Sequence, residues 1–551
     1  MRKAMKKAAA VSLATVMSAS VLAACGGSES SSQVTSSSGA ESPGSESTSE
    51  AAEFTDYSAG FPEQVTIQIP VYDRGFEGWN VTDNYYTQWI QKEFGDKYNV
   101  KVEYVAISRS NEVQDYMQMI AAGTAPDIIY HYDMPQAVAY YNEGAIQPVN
   151  YDEVAFYAPT FWENMQETIE TYGKLDGENA FIFAARNPNQ YNYITVIRKD
   201  WLDKVGMEVP TTLEEMTEVA KAWKEAGLGT IGADLWQKSF TFEYPFIGES
   251  VDPTDASLYL DLNVAPMTWD VTKACLQAYN SLYNEGLLDS EFYLNTDDAA
   301  WKAKFVSGEV GTYGFYISKN TDVFSSLKAN DPNAEVAFVS GYNVPSNSHA
   351  YYYEYPAYGM IMGINNTTSD EERAAVYMFL DWMSQPENLT FLQNGVEGEN
   401  YTVNEDGLPV PVAGFEGESK LSNNSNKDYW CLVQETVDYG DEEVNLKSNI
   451  MNVAPEGYEF LVQDAYDSFF KNLDYGIVST IYTKAVESSA EYSADLKALW
   501  VEGYVKCVTC KPEEFEATYE EYCQEYLDAG YQEILDEKQS LLDEGAYIKM
   551  D

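Results

Sequence analysis

The chain has 551 residues, 88 of them acidic and 33 basic, for a formal net charge of −55 at pH 7. A body this acidic repels nucleic acid and anionic lipid, and its two histidines, His131 and His349, exclude HExxH zinc chemistry, a Ser-His-Asp set and a multi-histidine metal site. Neither a GxxxxGK[ST] phosphate loop nor a DxDxDG calcium loop occurs, so no nucleotide, metal or other cofactor is implied.

The N-terminus opens with Arg2, Lys3, Lys6 and Lys7, followed by an apolar run from Ala8 to Leu22 and then Ala23-Ala24-Cys25. A cationic start, a short apolar stretch and small residues before a cut describe a secretory signal over residues 1–24. The run is dilute in Ala and Ser and falls short of the roughly 20 residues a membrane span needs. With Cys at the cut, Leu22-Ala23-Ala24-Cys25 resembles the lipobox of bacterial lipoproteins. That resemblance implies a diacylglycerol (palmitate-type) anchor on Cys25, cleavage before it, and a protein held outside the cytoplasmic membrane. An ordinary signal peptide with a chance Cys is the competing reading. Residues 25–60 are mostly Ser, Gly, Glu, Ala and Thr and read as a flexible tether. The remainder is too long for one small core and is expected to form two lobes.

The body begins with a strand, Val65–Val71, a loop from Tyr72 to Trp79, and a helix through Tyr86, Trp89, Ile90 and Phe94. A second strand spans Val100–Ile107, a helix Glu112–Ala122, and Gly123-Thr124-Ala125-Pro126 turns into a short buried strand, Asp127–Tyr130; a helix through Ala137–Tyr141 ends at Gly144. This β-α-β-α-β-α order predicts a mostly parallel sheet covered by helices. Ligands of such sheets lie beyond the carboxyl ends of the strands, which selects the loops Tyr72–Trp79, Ser108–Asn111 and Tyr130–Asp133.

Five cysteines follow Cys25: Cys275, Cys431, Cys507, Cys510 and Cys523. The odd number argues against a complete disulfide framework. Cys507-Val-Thr-Cys510 has redox or zinc spacing, but with no second pair and no nearby His it reads as small apolar packing between two helices.

Several segments carry a family resemblance. They are Gly123-Thr124-Ala125-Pro126-Asp127-Ile128-Ile129 with Glu143–Val149; Ile197-Arg198-Lys199-Asp200-Trp201-Leu202-Asp203-Lys204-Val205-Gly206 leading through Val209-Pro210-Thr211-Thr212-Leu213-Glu214-Glu215; Tyr283–Asp289; Phe305–Gly311; and Gly395–Thr402. In this order, behind a lipobox, they resemble the family 1 extracellular solute-binding proteins of ABC importers, in the large lipoprotein subgroup with sugar-type ligands. Locally, Asp200 or a neighbour starts a helix, Gly206 ends it, and Thr211 or Thr212 caps the next. The resemblance implies an α/β, two-lobed periplasmic-binding-protein-like fold with an interlobe ligand cleft and hinge crossings. The first crossing is expected near Phe181–Tyr193 and the return near Tyr342–Tyr355. Lobe one would comprise 61–185 plus 350–395, and lobe two 190–345 plus 396–551. The implied protein is a monomer whose partners are an oligosaccharide and the permease subunits.

A pyranose offers an apolar C–H face and a ring of hydroxyls, matched by aromatic rings and by Asp, Glu, Asn, Gln and Arg. The strand-end loops then offer Tyr72, Asp73, Trp79, Arg109, Tyr130, His131 and Asp133. The crossings and the second lobe add Arg186, Asn189, Tyr191, Trp236, Tyr313, Tyr316, Tyr353 and Glu354. With 44 Tyr in the chain, core packing is the competing role for each ring. Two other functions compete: peptide capture, and a surface glycoside hydrolase with two carboxylates about the bond, for which no motif is present.

Overall fold

The computed structural model describes residues 54–187, 190–233, 266–295, 298–317, 322–341, 352–354, 356, 358–412, 426–472, 476–478 and 480–548. Its principal strands are β1 (Val65–Asp73), β2 (Val100–Ser108), β3 (Ile128–His131), β4 (Ile182–Ala185), β5 (Tyr193–Arg198), β6 (Thr312–Tyr316), β7 (Val336–Val339) and β8 (Tyr358–Asn365).

β1 and β2 run parallel, with Ile67 opposite Val102 and Tyr72 opposite Ile107. The helix Glu112–Ala122 follows and ends at Gly123, whose φ of +65° stops it. Asp127 then fastens β3 beside β1: its carboxylate accepts the Gln68 N–H at 2.6 Å, and its own N–H donates to the Gln68 carbonyl at 2.9 Å. Thr368 donates to the other carboxylate oxygen at 2.8 Å. The expected mostly parallel sheet is corrected here. β8 returns from far along the chain and pairs antiparallel with both β3 and β4, so among the described strands of this part of the molecule the parallel ladder is that of β1 with β2.

One apolar core gathers residues of 61–184 with those of β8, the helix Asp370–Ser384 and Tyr429–Val433. Ala375, Val376, Phe379, Leu380 and Met383 form the buried stripe of that helix. Its start is held by a reciprocal cap between Ser369 and Glu372. Two further cores involve β5, β6 and β7. One buries Trp201, Trp223 and the C-terminal helices Glu487–Thr509 and Phe515–Tyr526, and the other buries Tyr313, Phe324 and the helix Glu459–Lys471. Tyr429–Val433 and Ile481, far along the chain, also lie in the first core.

The motif beginning at Ile197 is built as its residues require. The helix is Lys199–Val205. Gly206, at φ +71°, ends it by donating to the Asp203 and Leu202 carbonyls, and Thr212 with Glu215 forms the capping box of Leu213–Glu225. Gly311 has a different reason to be glycine. A Cβ there would lie 2.5 Å from the Trp223 ring and 2.9 Å from the Trp201 ring, two indoles packed edge-on at 5.3 Å. Cys507 falls in the last turn of its helix and Cys510 caps it, so this pair is embedded in packing; the Asn280 amide donates to the carbonyls of Cys507, Val508 and Cys510.

Candidate functional site

The carboxyl ends of β1, β2 and β3 meet at one place. The Arg109 N–H donates to the Asp73 carbonyl at 3.0 Å, tying the loop after β2 to the loop after β1. The Arg109 guanidinium lies over the Tyr72 ring at 5.0 Å and the Tyr132 ring at 5.4 Å, and those rings are nearly parallel, 14° apart with centroids 6.2 Å apart. Arg109 donates to Glu112 at 2.7 Å, and the second oxygen of Glu112 lies 2.6 Å from His131 Nε2. His131 Nδ1 accepts the Asp133 N–H at 2.9 Å, which leaves the ring proton on Nε2, facing Glu112. Burial works against ionising Glu112, but the His131 hydrogen bond and the charge of Arg109 outweigh it and hold its pKa below the usual value. Around this group opens a pocket of about 390 Å³ lined by Arg109, Asn111, Gln114, His131, Tyr132 and Asp133 among others.

A segment more than 290 residues downstream closes the back of the site. Asp428 takes a two-point bond from Arg74, 2.8 Å at each contact. Glu435 accepts from Tyr132 Oη at 2.9 Å and from Lys427 Nζ at 2.8 Å. The segment is registered on β4 through its backbone: the Ala185 N–H donates to the Val433 carbonyl at 3.0 Å, and the Glu435 N–H to the Ala185 carbonyl at 2.6 Å. Burial disfavours the charge on Lys427, yet Glu435 raises its pKa, with a further contribution from the Tyr316 phenol at the end of β6. Burial likewise raises the pKa of Asp428, against the pull of Arg74.

The proposed ligand residues divide by position. Arg109, His131 and Asp133 line the pocket, whereas Tyr72 is fully buried beneath the Arg109 guanidinium and does not line it. Tyr130 is fully buried beneath Tyr72, 4.8 Å away, and presents no surface, because β3 points it into the core. Asp73 is exposed and caps the Gly75 N–H at 2.8 Å. Trp79 packs at 6.2 Å and 6.5 Å against Tyr86 and Tyr429. Arg186 is half-buried at the first crossing. Tyr191, in a short 3-10 turn before β5, packs on Tyr466 at 5.3 Å, and Tyr313 is enclosed by Trp301, Phe305 and Phe315; both are core rings. Tyr316 stays partly exposed, 4.7 Å from Tyr193. Tyr353 and Glu354 lie in a strand whose backbone pairs in parallel with Gly476–Val478. Cys25, Asn189 and Trp236 fall outside the described residues.

Sequence reasoning missed Arg74, Glu112, Tyr132, Tyr193, Lys427, Asp428 and Glu435. Arg74 and Tyr132 sit inside loops it had selected, and Glu112 starts the helix after one of them. Nothing local distinguishes Asp428 or Glu435, whose partners Arg74 and Tyr132 are remote in the chain, and Lys427 enters the site through Glu435. Among the described residues no cluster of three His, Cys, Asp or Glu side chains is arranged to hold a metal ion.

Residues 89–394 match the family model described as bacterial extracellular solute-binding protein. Lipoprotein LipO of Bacillus subtilis (strain 168) is 25% identical over 353 residues, 59% of this chain and 68% of that protein. The probable sugar-binding periplasmic protein of Rhizobium meliloti (strain 1021) is 28% identical over 166 residues, 30% of this chain and 38% of that one. Among solved structures, alginate-binding protein AlgQ2 superposes with a TM-score of 0.61 at 19% identity, covering 88% of this chain and 99% of that chain. The S. pneumoniae ABC-transporter substrate-binding protein FusA, in complex with kestose, superposes with a TM-score of 0.59 at 17% identity, covering 87% and 99%. The fold of this chain is therefore that of the two-lobed solute-binding proteins.

Proposed function

We propose that this chain, which belongs to the bacterial extracellular solute-binding proteins, captures an extracellular oligosaccharide between its lobes and delivers it to the permease of an ABC importer. The observation that carries this reading is the pocket at the ends of β1, β2 and β3. There Arg109, stacked on the Tyr132 ring, stands beside Asn111, Gln114 and Asp133. An aromatic ring with several hydrogen-bonding groups beside it suits the apolar face and hydroxyl rim of a pyranose. The partly exposed Tyr193–Tyr316 pair, where β5 begins and β6 ends, offers a second ring surface of the same kind. The sugar-binding relative and the sugar-bound structural neighbour support the same ligand class.

The lobe boundaries at the first crossing, the monomeric state and the lipid anchor on Cys25 belong to this proposal. So does the role of a binder without turnover. Calorimetric titration of the chain from Gly26 onward against plant and host oligosaccharides, alongside short peptides, tests it. Micromolar or tighter binding to one glycan series is expected, with no new reducing ends after long incubation. Binding of peptides alone, or robust release of reducing ends, overturns it. For the anchor, Cys25→Ala in the full chain is expected to leave the membrane fraction; continued partition with membranes refutes lipidation as the attachment.

A further inference from the structure

We propose that the site selects uncharged oligosaccharides and rejects those bearing uronate carboxylates; the inference rests on the oligosaccharide reading above. A carboxylated sugar needs a cation with charge to spare. In the described site each cation is already matched. Arg74 is bound at two points by Asp428, which is 5% exposed, and Lys427 is bound by Glu435, which is 13% exposed. Arg109 is bound by Glu112, whose carboxylate is 6% exposed. Arg186 at the first crossing is half-buried and engaged as well.

Two further carboxylates, Asp73 and Asp133, border the same loops, and neither has a Lys or Arg partner among the described residues. Leaving Arg186 aside, the site holds three cations against five carboxylates, within a chain whose net charge is −55. A ligand carboxylate on Arg109 would share a single positive charge with Glu112, placing a second carboxylate beside a buried one that already neutralises that cation. Neutral hydroxyls bring no such second charge. The N–H groups that Arg109 has left over donate to hydroxyl oxygens, and Asp133 accepts hydroxyl protons. Like-charge contact across a partly desolvated interface is an effective means of excluding the wrong ligand.

The test uses the full chain carrying Cys25→Ala, with manno-, xylo-, gluco- and galacto-oligosaccharides as probes. Each is compared with the same ladder whose primary hydroxyls have been oxidised to carboxylates, or, for the xylo series, with glucuronate-substituted chains. One neutral ladder is expected to bind, with its carboxylated form on the order of a hundredfold weaker at low salt. That penalty should shrink in about 0.5 M NaCl, where charge repulsion is screened and a mismatch of shape is not. A carboxylated ladder that binds as tightly as its neutral form, or a penalty indifferent to salt, overturns this inference and leaves the oligosaccharide reading standing. No binding to any saccharide, with binding to peptides, overturns both.

Discussion

Gly359 and Glu435 share one space. A Cβ built on Gly359, the second residue of β8, would lie 2.4 Å from the Glu435 Cβ and 2.9 Å from its Cγ. The bare backbone of β8 is what allows Glu435 to lie across it and reach Tyr132 and Lys427 at once.

Gly359→Ala should therefore displace Glu435 and loosen both of its contacts. The φ at Gly359 is not in the left-handed region, so the effect is one of space alone. A loss of about 1–3 kcal/mol is expected from overpacking at a buried strand, read as a lower urea midpoint, together with weaker oligosaccharide binding. A variant with the parental midpoint would show that the segment about Glu435 yields freely.

The Arg74–Asp428 pair makes a double-mutant test. Asp428 is nearly buried and Arg74 about one-quarter exposed, so removing the carboxylate leaves a guanidinium partly stranded. Asp428→Asn should cost about 2–4 kcal/mol, less than for a fully buried pair because water reaches Arg74. Arg74→Met combined with Asp428→Leu should recover part of that loss. If the double variant is no more stable than Asp428→Asn, the pair holds the loop by more than charge.

Acid should weaken the fold through Glu112. Its pKa is lowered in the folded chain from an ordinary value of 4.5. A depressed carboxylate contributes stability that is present above the unfolded pKa and lost as pH falls through the folded one. The stability difference between the parent and Glu112→Gln should thus be constant near neutrality and shrink progressively below pH 4.5, as measured by urea unfolding across pH. A difference that stays constant through the acid range would mean that Glu112 acts by shape and not by charge.

The Cys507 thiol should be inert in the native protein. Burial, helped by Cys510 and Cys523, pushes its pKa up to about 12. Iodoacetamide at pH 8 should leave Cys507 unlabelled until urea unfolds the chain, as read by peptide mass spectrometry. Rapid native labelling would reopen a redox role for the Cys507–Cys510 pair.

Local chemistry decided much of this molecule before any folding. The lipobox-like run to Cys25, the Gly206 stop, the Thr212 cap and the short strand after Asp127 are each set by a few neighbouring residues, through steric allowance at glycine and side-chain bonds to free N–H groups. The rule that ligands lie beyond the carboxyl ends of strands likewise led from sequence to Arg109, His131 and Asp133, which line the pocket. The tertiary structure alone decided which rings face outward. Tyr130, Tyr191 and Tyr313 have the same chemistry as Tyr132, Tyr193 and Tyr316, and only the neighbours packed against them assign three to the core and three to partly exposed positions. It alone also brought Asp428 to Arg74 and Glu435 to Tyr132, across 354 and 303 residues. Such pairs leave no local trace, because a carboxylate's partner is chosen by the approach of two backbones and not by the residues beside it.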